Sequence, residues 1–253
     1  MESLKPRRIQ LHMTGDRPFF QNEVLFPVLA AFQADPLFAI EFWGLDERAA
    51  QAYDQERIGR VAGGKPSPYV LNLKRKKRIQ HTTLIRLSRR PGLILSPSPK
   101  TPPKDWEHFF EFSDTLAAVY RPELAWVHIF AAPEPPLENA ADKAHYRMDM
   151  GITGSGPEYE SEGPGGLGLR TYLGPGLVER LGRERLLNTP ALVIELPWGG
   201  MRVDLVAKPW QAPLPEILAA WDAAMQHLRP AAVFAEAEQD EEGNVYFSRA
   251  RNW

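Results

Sequence analysis

Hydrophobic and polar residues repeat with two different periods along this chain, and the two periods predict helices and strands. Spacings of three and four residues place apolar side chains on one face of a segment, as in an amphipathic helix. Segments with this spacing begin near Asn22, Asp46, Asp105, Gly174 and Leu214. The stripes that begin at Asp105 and Leu214 are the most regular, so these two helices are the firmest predictions.

Alternating or short apolar runs between turn residues predict strands. These runs cover 9–13, 37–43, 69–74, 82–87, 93–95, 124–130, 146–152, 192–196, 201–206, 232–237 and 244–248. Strands outnumber helices, and several neighbouring strands are close enough in sequence to form hairpins. The order of elements therefore predicts an α+β fold, with largely antiparallel sheet packed with about four to five helices.

A proline-rich segment, Ser96-Pro-Ser-Pro-Lys-Thr-Pro-Pro103, interrupts this pattern. Closely spaced prolines favour a stiff, extended backbone. We therefore predict an exposed connector at 96–104, between an N-terminal α+β half at 1–95 and a C-terminal α+β half at 105–253. One continuous domain, whose sheet crosses the connector, is the alternative.

Composition narrows the classes of function. The 253 residues carry a formal net charge of −2 and include no cysteine. The absence of cysteine excludes disulfides, zinc–thiolate sites and cysteine nucleophiles. The N-terminus lacks the apolar stretch of a signal peptide, and no run approaches the length of a membrane span. We expect a cytoplasmic protein without a membrane partner.

Two motifs resemble ligand sites but lack the context that such sites need. Lys74-Arg-Lys-Lys-Arg78, with Arg86, Arg89 and Arg90, is basic but has no interleaved aromatic residues, so we expect a solvated hairpin tip and no nucleic-acid partner. Residues 163–168 match G-x-G-x-x-G, but an acidic loop precedes them instead of a strand. A flexible loop without a cofactor is the expectation there.

One pair of carboxylates is predicted to meet. If Gly199-Gly200 forms a two-residue hairpin turn, Glu195 lies opposite Asp204, and Arg202 lies diagonally from Glu195. The same register would bury Ile194, Leu196, Val203 and Leu205. Facing carboxylates can hold a metal ion or share a proton. The nearby arginine favours a surface charge cluster instead.

The remaining candidates for chemistry are weak. The six histidines show no metal-ligand spacing, and His128 alternates with Trp126 and Phe130 on a predicted strand. We therefore predict no catalytic, cofactor-binding or metal-binding residue. An enzyme with an unrecognised site near Glu195, Asp204 and His128 is the alternative.

Acidic loops offer a different kind of site. Glu158, Glu160 and Glu162 surround Tyr159, and this mixture of charge with an aromatic ring is typical of an interface anchor. These four residues are the predicted partner-binding residues. The charged residues would attract a basic protein.

The run Gly165-Gly-Leu-Gly-Leu-Arg-Thr-Tyr-Leu-Gly-Pro-Gly-Leu-Val-Glu-Arg-Leu-Gly-Arg-Glu-Arg-Leu-Leu-Asn-Thr-Pro190 is the most distinctive part of the chain. It resembles bacterial polymorphic-toxin immunity proteins, notably the immunity protein 52 family and related type VI secretion immunity proteins. The resemblance is clearest over 165–196. It implies a protein without enzymatic activity or cofactor, which binds a cognate secreted toxin and blocks it sterically in a stoichiometric complex. A general protein-interaction module is a further alternative.

Overall fold

The computed structural model describes residues 6–133, 136–137, 139–154, 163–239 and 245–252. These residues form seven α-helices and twelve strands, and the strand pairs in register are antiparallel. The predicted α+β class with antiparallel sheet is confirmed, with more helices than the four to five expected. The chain divides into two compact units, which are Arg8–Val127 and His128–Trp253 together with Met1–Arg7.

The first unit, Arg8–Val127, combines a sheet with three helices. Its strands are β1 (Arg8–Thr14), β2 (Phe42–Gly44), β3 (Gln51–Ala52), β4 (Val70–Arg75), β5 (His81–Arg86), β6 (Gly92–Pro97) and the beginning of β7 (Leu124–Phe130). Its helices are α1 (Asn22–Ala34), α2 (Gln55–Ala62) and α3 (Trp106–Tyr120). The first six strands lie in the order β3-β2-β4-β5-β6-β1. The short β3 is therefore the edge strand of this unit.

Aromatic rings fill the space between α1 and α3. Phe38 stacks on Phe112 with ring centroids 4.4 Å apart, and Phe32 meets Phe112 edge-on at 5.1 Å. All three side chains are buried. Such pairs contribute beyond the apolar area that they remove from water. This core explains why the stripe that begins near Asp105 is a reliable helix signal.

The proline-rich segment lies within the first unit. Ser96 and Pro97 belong to β6, and Thr101 is buried. The carbonyl of Thr101 accepts a hydrogen bond of 2.9 Å from the indole N–H of Trp106. This hydrogen bond attaches the segment to the start of α3. The boundary between the two compact units lies between Val127 and His128, and not at the predicted connector 96–104.

The basic residues after β4 contact neighbouring segments. Lys77 forms an ion pair with Glu41 at 2.9 Å, and Arg78 forms one with Asp105 at 2.6 Å. The guanidinium of Arg75, the last residue of β4, donates to three backbone carbonyls, at 2.7, 2.8 and 2.9 Å. The ammonium of Lys77 and the amide N–H of Lys76 lower the pKa of Glu41 to about 2. These cations link the β4–β5 hairpin to the segment 36–41 and to Asp105.

Two buried histidines of the first unit remain neutral at ordinary pH. Burial, with Arg86 and Arg8 nearby, lowers the pKa of His12 to about 3. Burial also lowers the pKa of His81 to about 4, although the carbonyl of Phe38 opposes the shift. The Nε2 atom of His81 lies 3.0 Å from that carbonyl. Both rings are therefore sources of acid sensitivity.

Stability should fall as the pH drops from about 6.5 towards 4. The unfolded chain takes up a proton on each ring near the ordinary histidine pKa of 6.5, whereas the folded chain does not until its lower pKa is reached. The unfolded state then binds more protons, and each histidine costs about 1.4 kcal/mol per pH unit in that window. Urea unfolding at a series of pH values measures this slope.

His12→Phe isolates the contribution of one ring. Phenylalanine retains an aromatic edge against Trp126, which His12 contacts at 5.2 Å between ring centroids. The slope of unfolding free energy against pH should decrease by about 1.4 kcal/mol per unit between about pH 4 and 5.5. A slope equal to that of the wild type would show that His12 is protonated in the folded state.

The second unit contains the resemblance segment. Its helices are α4 (Ala140–Gly154), α5 (Pro175–Leu181), α6 (Arg183–Leu187) and α7 (Leu214–Leu228). Its further strands are β8 (Arg170–Leu173), β9 (Leu192–Glu195), β10 (Met201–Asp204), β11 (Glu236–Gln239) and β12 (Val245–Ser248). Strand β10 lies between β8 and β9, whereas β11 and β12 form a separate antiparallel pair. Strand β9 is therefore an edge strand.

The strand predicted at 146–152 is wrong, because these residues belong to α4. The Asn139 side chain accepts a hydrogen bond of 2.9 Å from the N–H of Asp142 and so caps the helix. His145, Met148, Asp149 and Ile152 are buried at helical spacing. Two of these buried residues, His145 and Asp149, are polar. The pattern of hydrophobic residues alone therefore does not show the helical period.

The glycine-rich segment 163–168 is a loop, as predicted, but it is buried and packs against α7. The indole N–H of Trp221 donates to the carbonyl of Leu167 at 3.2 Å. A methyl group at Gly166 would lie 3.6 Å from the Trp221 ring, an ordinary van der Waals distance, so the indole packs directly over this residue. The glycine-rich motif therefore packs against Trp221 of α7.

Candidate interaction surface

The hairpin of β9 and β10 has a register different from the predicted one. Glu195 lies opposite Met201, and Asp204 lies opposite Leu192. The N–H of Leu196 donates to the carbonyl of Gly200 at 2.9 Å, which closes a loop longer than the assumed two-residue turn. Glu195 and Asp204 consequently do not face each other. The predicted pairing of these carboxylates is wrong.

Asp204 is buried in a group of charges. Its carboxylate accepts hydrogen bonds from Arg170, at 2.5 Å from Nε and 3.3 Å from Nη2. Arg202 lies on the same strand, with its Nε 3.1 Å from Asp204. Arg170 stands directly across from Asp204 on β8, so this contact joins β8 to β10. Removing the carboxylate would break the buried ion pair between Asp204 and Arg170.

Glu195 lies in a very different environment. It forms an ion pair with Arg183, the first residue of α6, and both side chains are about half exposed, at 53% and 52%. Exposed ion pairs contribute little to stability, usually less than about 1 kcal/mol. The predicted neutralisation of Glu195 by Arg202 is therefore replaced by neutralisation by Arg183. This ion pair neutralises the charge of Glu195 at the end of the edge strand β9.

His128 belongs to a buried polar cluster with two residues of α4. Its Nε2 lies 2.9 Å from Asp149 Oδ1, and His145 Nε2 lies 3.7 Å from the same oxygen. Asp149 Oδ2 accepts hydrogen bonds from the backbone N–H groups of Ala131 and Ala132, at 3.1 and 3.0 Å. The cluster thereby ties α4 to the segment that follows β7.

The electrostatics of this cluster follow from burial and pairing. Burial alone would raise the pKa of Asp149, but the hydrogen bond from His128 and the backbone donors lower it overall. Burial lowers the pKa of His145. The His128 ring is fully buried, and its Nδ1 has no hydrogen-bond partner among the described residues. The sequence places His128 on its strand correctly but does not indicate Asp149 or His145, because it does not reveal the period of α4.

The apolar surface at β9 is the feature that sequence reasoning missed. Leu187, at the end of α6, is 48% exposed, while Leu192 and Ile194 of β9 are 44% and 36% exposed. The predicted register would have buried Ile194. Val203 and Leu205 are buried as expected. Large apolar side chains grouped at a sheet edge are typical of an interaction surface.

The predicted partner-binding residues Glu158, Tyr159, Glu160 and Glu162 lie outside the described residues. Their role in binding stays a prediction. Within the described part of the chain, no group of three or more histidine and acidic side chains is arranged to hold a metal ion. No described helix combines the length and the apolar character needed to cross a bilayer.

Comparison with known proteins supports the fold. A solved structure of a type VI secretion system (T6SS) protein of Pseudomonas aeruginosa, PA0821, is similar with a TM-score of 0.57 and 12% sequence identity. The similarity covers 97% of this chain and 80% of that protein. No protein-family model matches the chain, and no curated protein is similar enough in sequence to count as a relative. Membership of the immunity protein 52 family remains a hypothesis.

Proposed function

We propose that this chain is a T6SS immunity protein, which binds a cognate secreted toxin and neutralises it by a stoichiometric steric block. The observation that carries the proposal is the fold likeness to the T6SS protein PA0821 over 97% of the chain. The sequence resemblance over 165–196 leads to the same secretion system by a separate route. No protein-family model matches the chain, so the assignment to an immunity family is part of the proposal.

The exposed edge of β9 fits this function. The resemblance segment contains β8, α5 and α6 and ends in β9, whose outer residues Leu192 and Ile194 are exposed. A steric inhibitor needs a rigid, complementary surface with a few apolar anchors, and it needs no reactive group. The proposed protein acts in the cytoplasm, without a cofactor, on a toxin that arrives from outside.

An enzyme is the second candidate, and the His128–Asp149 contact is the observation that favours it. A carboxylate that accepts a hydrogen bond from one imidazole nitrogen can orient the ring as a general base. Full burial of His128 and the anchoring of Asp149 by two backbone N–H groups favour a role in packing. Turnover that disappears in His128→Gln, while the fold is retained, would establish the enzyme instead.

Competition between strains tests the immunity proposal. A strain that lacks this gene should be killed on contact with its parent, and a plasmid copy should restore survival. A parent without a functional T6SS should spare the deletion strain. Deleting individual effector genes from the parent then identifies the toxin that this chain counters. Survival of the deletion strain beside an active parent would contradict the proposal.

Measurements with purified proteins test the mechanism. Titration calorimetry with a catalytically inactive form of that toxin should give one defined stoichiometry, and inhibition of the active toxin should reach completion at the same ratio. Toxin released from the complex by denaturation and refolding should regain activity, because a steric block leaves it chemically unchanged. Covalent modification of the toxin by substoichiometric amounts of this protein would contradict the mechanism.

A further inference from the structure

The outward hydrogen-bonding groups of β9 can be assigned from the ladder. Leu196 donates to Gly200, and pairs that exchange hydrogen bonds alternate along an antiparallel ladder. Ile194 is therefore bonded to Arg202, whereas the N–H and C=O groups of Val193 and Glu195 point away from β10. The hydrogen bond from Leu205 to Leu169 sets the alternation between β10 and β8 and gives the same assignment.

The edge strands β3 and β9 differ in how they are protected. The edge strand of the first unit, β3, has only two residues, Gln51 and Ala52. Short edge strands give a foreign strand little to pair with. Strand β9 has four residues and contains neither proline nor lysine, and Leu192 and Ile194 on its surface are exposed. Within the described part of the chain, no strand pairs with the outer side of β9, which is therefore more open to strand addition than β3.

Charge at the edge indicates the chemistry of the occupant. Leu192, Val193 and Ile194 carry no charge, and Glu195 is paired with Arg183. A strand that binds here meets a neutral edge with apolar side chains on one face. Its complement is an extended segment that is uncharged over several residues and places an apolar side chain beside Leu192 and Ile194.

A second copy of this chain is a poor occupant. Two-fold antiparallel pairing centred on Val193 would place Glu195 opposite Ala191 of the other copy. The N–H of Ala191 already donates to the carbonyl of Thr189 at 2.7 Å, so this outer pair would lack a donor. The overlap would be about 13 Å long for four residues, which gives an area well below the ~800 Å² per partner of a standard interface.

We infer that β9 is a docking edge for one extended, uncharged strand of the toxin, which adds to the sheet through the N–H and C=O groups of Val193 and Glu195. This inference rests on the proposed function. It specifies one part of the interface, and the toxin makes its other contacts elsewhere. Specificity would come from the side chains beside Leu192 and Ile194, and the backbone would set the register.

Residue-resolved amide hydrogen exchange by NMR tests the pairing directly. The full-length protein is measured alone and with the inactive toxin identified by strain competition. The amides of Val193 and Glu195 should exchange rapidly in the free protein and slow at least about tenfold in the complex. The amide of Ile194 is the internal control, because it is bonded to Arg202 in both states. Unchanged exchange at Val193 and Glu195 in a saturated complex would overturn the inference.

A matched pair of variants separates backbone pairing from side-chain contact. Val193→Pro removes the outward N–H, which an edge strand tolerates, whereas Val193→Ala shortens the side chain and retains the N–H. Val193→Pro should bind the inactive toxin about tenfold more weakly than Val193→Ala, as expected for one lost hydrogen bond. Equal affinities would count against strand addition. If Val193→Pro does not fold, the exchange measurement still decides.

The remaining outcomes separate the two proposals. Protection of Val193 and Glu195 in the free protein that increases with its concentration would identify a second copy as the occupant and overturn the inference. Neutralisation of a toxin without protection at β9 would retain the proposed function and reject the docking edge. If no effector threatens the deletion strain, the proposed function fails and the toxin strand is rejected with it.

Discussion

Asp204→Ala should lower the free energy of unfolding by about 3–5 kcal/mol, because it removes one partner of a buried ion pair. Arg170 would keep its buried guanidinium without the carboxylate that now lies 2.5 Å away. The contact joins β8 to β10, and β10 in turn holds the edge strand β9. Loss of Asp204 should therefore weaken the hairpin that forms the candidate surface.

Glu195→Ala is the matched control for this change. It removes a carboxylate from the same hairpin, but the ion pair with Arg183 is half exposed. We expect a change below about 1 kcal/mol. Urea unfolding monitored by tryptophan fluorescence compares the two variants. Equal losses of stability would show that Asp204 is solvated, or that the hairpin is stabilised by its strands alone.

The contrast between these acids also shows where sequence reasoning fails. Both strands of the hairpin are predicted within a few residues, since apolar runs reveal strands well. Their register depends on the length of one turn, and Gly199-Gly200 is an attractive two-residue candidate. The actual loop closes between Leu196 and Gly200. A shift in register of this size changes the partners of Glu195 and Asp204 and exposes Ile194.

Helix α4 shows a second physical limit. Tyr146, Met148, Met150 and Ile152 alternate with less apolar residues, so a strand is the natural prediction. The helix is stabilised by buried polar contacts, which apolar periodicity does not detect. Asp149 reaches the backbone of 131–132 and pairs with His128, a residue 21 positions earlier. Such long-range polar pairing becomes visible only when the fold brings the segments together.

The helix predicted from near Asp46 begins only at Gln55, and the strand predicted at 37–43 is limited to Phe42–Gly44, whereas other elements are predicted well. Strands β4, β5 and β6 pair in sequence order, and α5 and α6 are separated at Gly182, whose φ of 84° favours glycine. The compact units are less predictable, because the proline-rich segment 96–103 begins in β6 and its Thr101 accepts a hydrogen bond from Trp106 of α3. Proline content indicates a stiff backbone but does not determine what packs against it.

The stripe on α7 is among the firmest predictions from the sequence, and it leads to the second large effect. Trp221→Ala should lower the free energy of unfolding by about 3–5 kcal/mol, because it leaves a cavity and removes a hydrogen bond. Trp221 is buried, donates to Leu167, and lies under the guanidinium of Arg147 at 5.8 Å from its ring centroid. Ile217 is buried on the same helix, whereas Met225 is half-buried.

Trp221→Phe separates the two contributions. Phenylalanine retains much of the apolar volume but cannot donate to Leu167, so its cost should be near that of one lost buried hydrogen bond, about 1–3 kcal/mol. Thermal melts followed by circular dichroism compare both variants with the wild type. A Trp221→Ala melt that coincides with the wild type would mean that the indole faces water. The α7 stripe would then be a binding surface, and segment 163–168 would have to be packed by other residues.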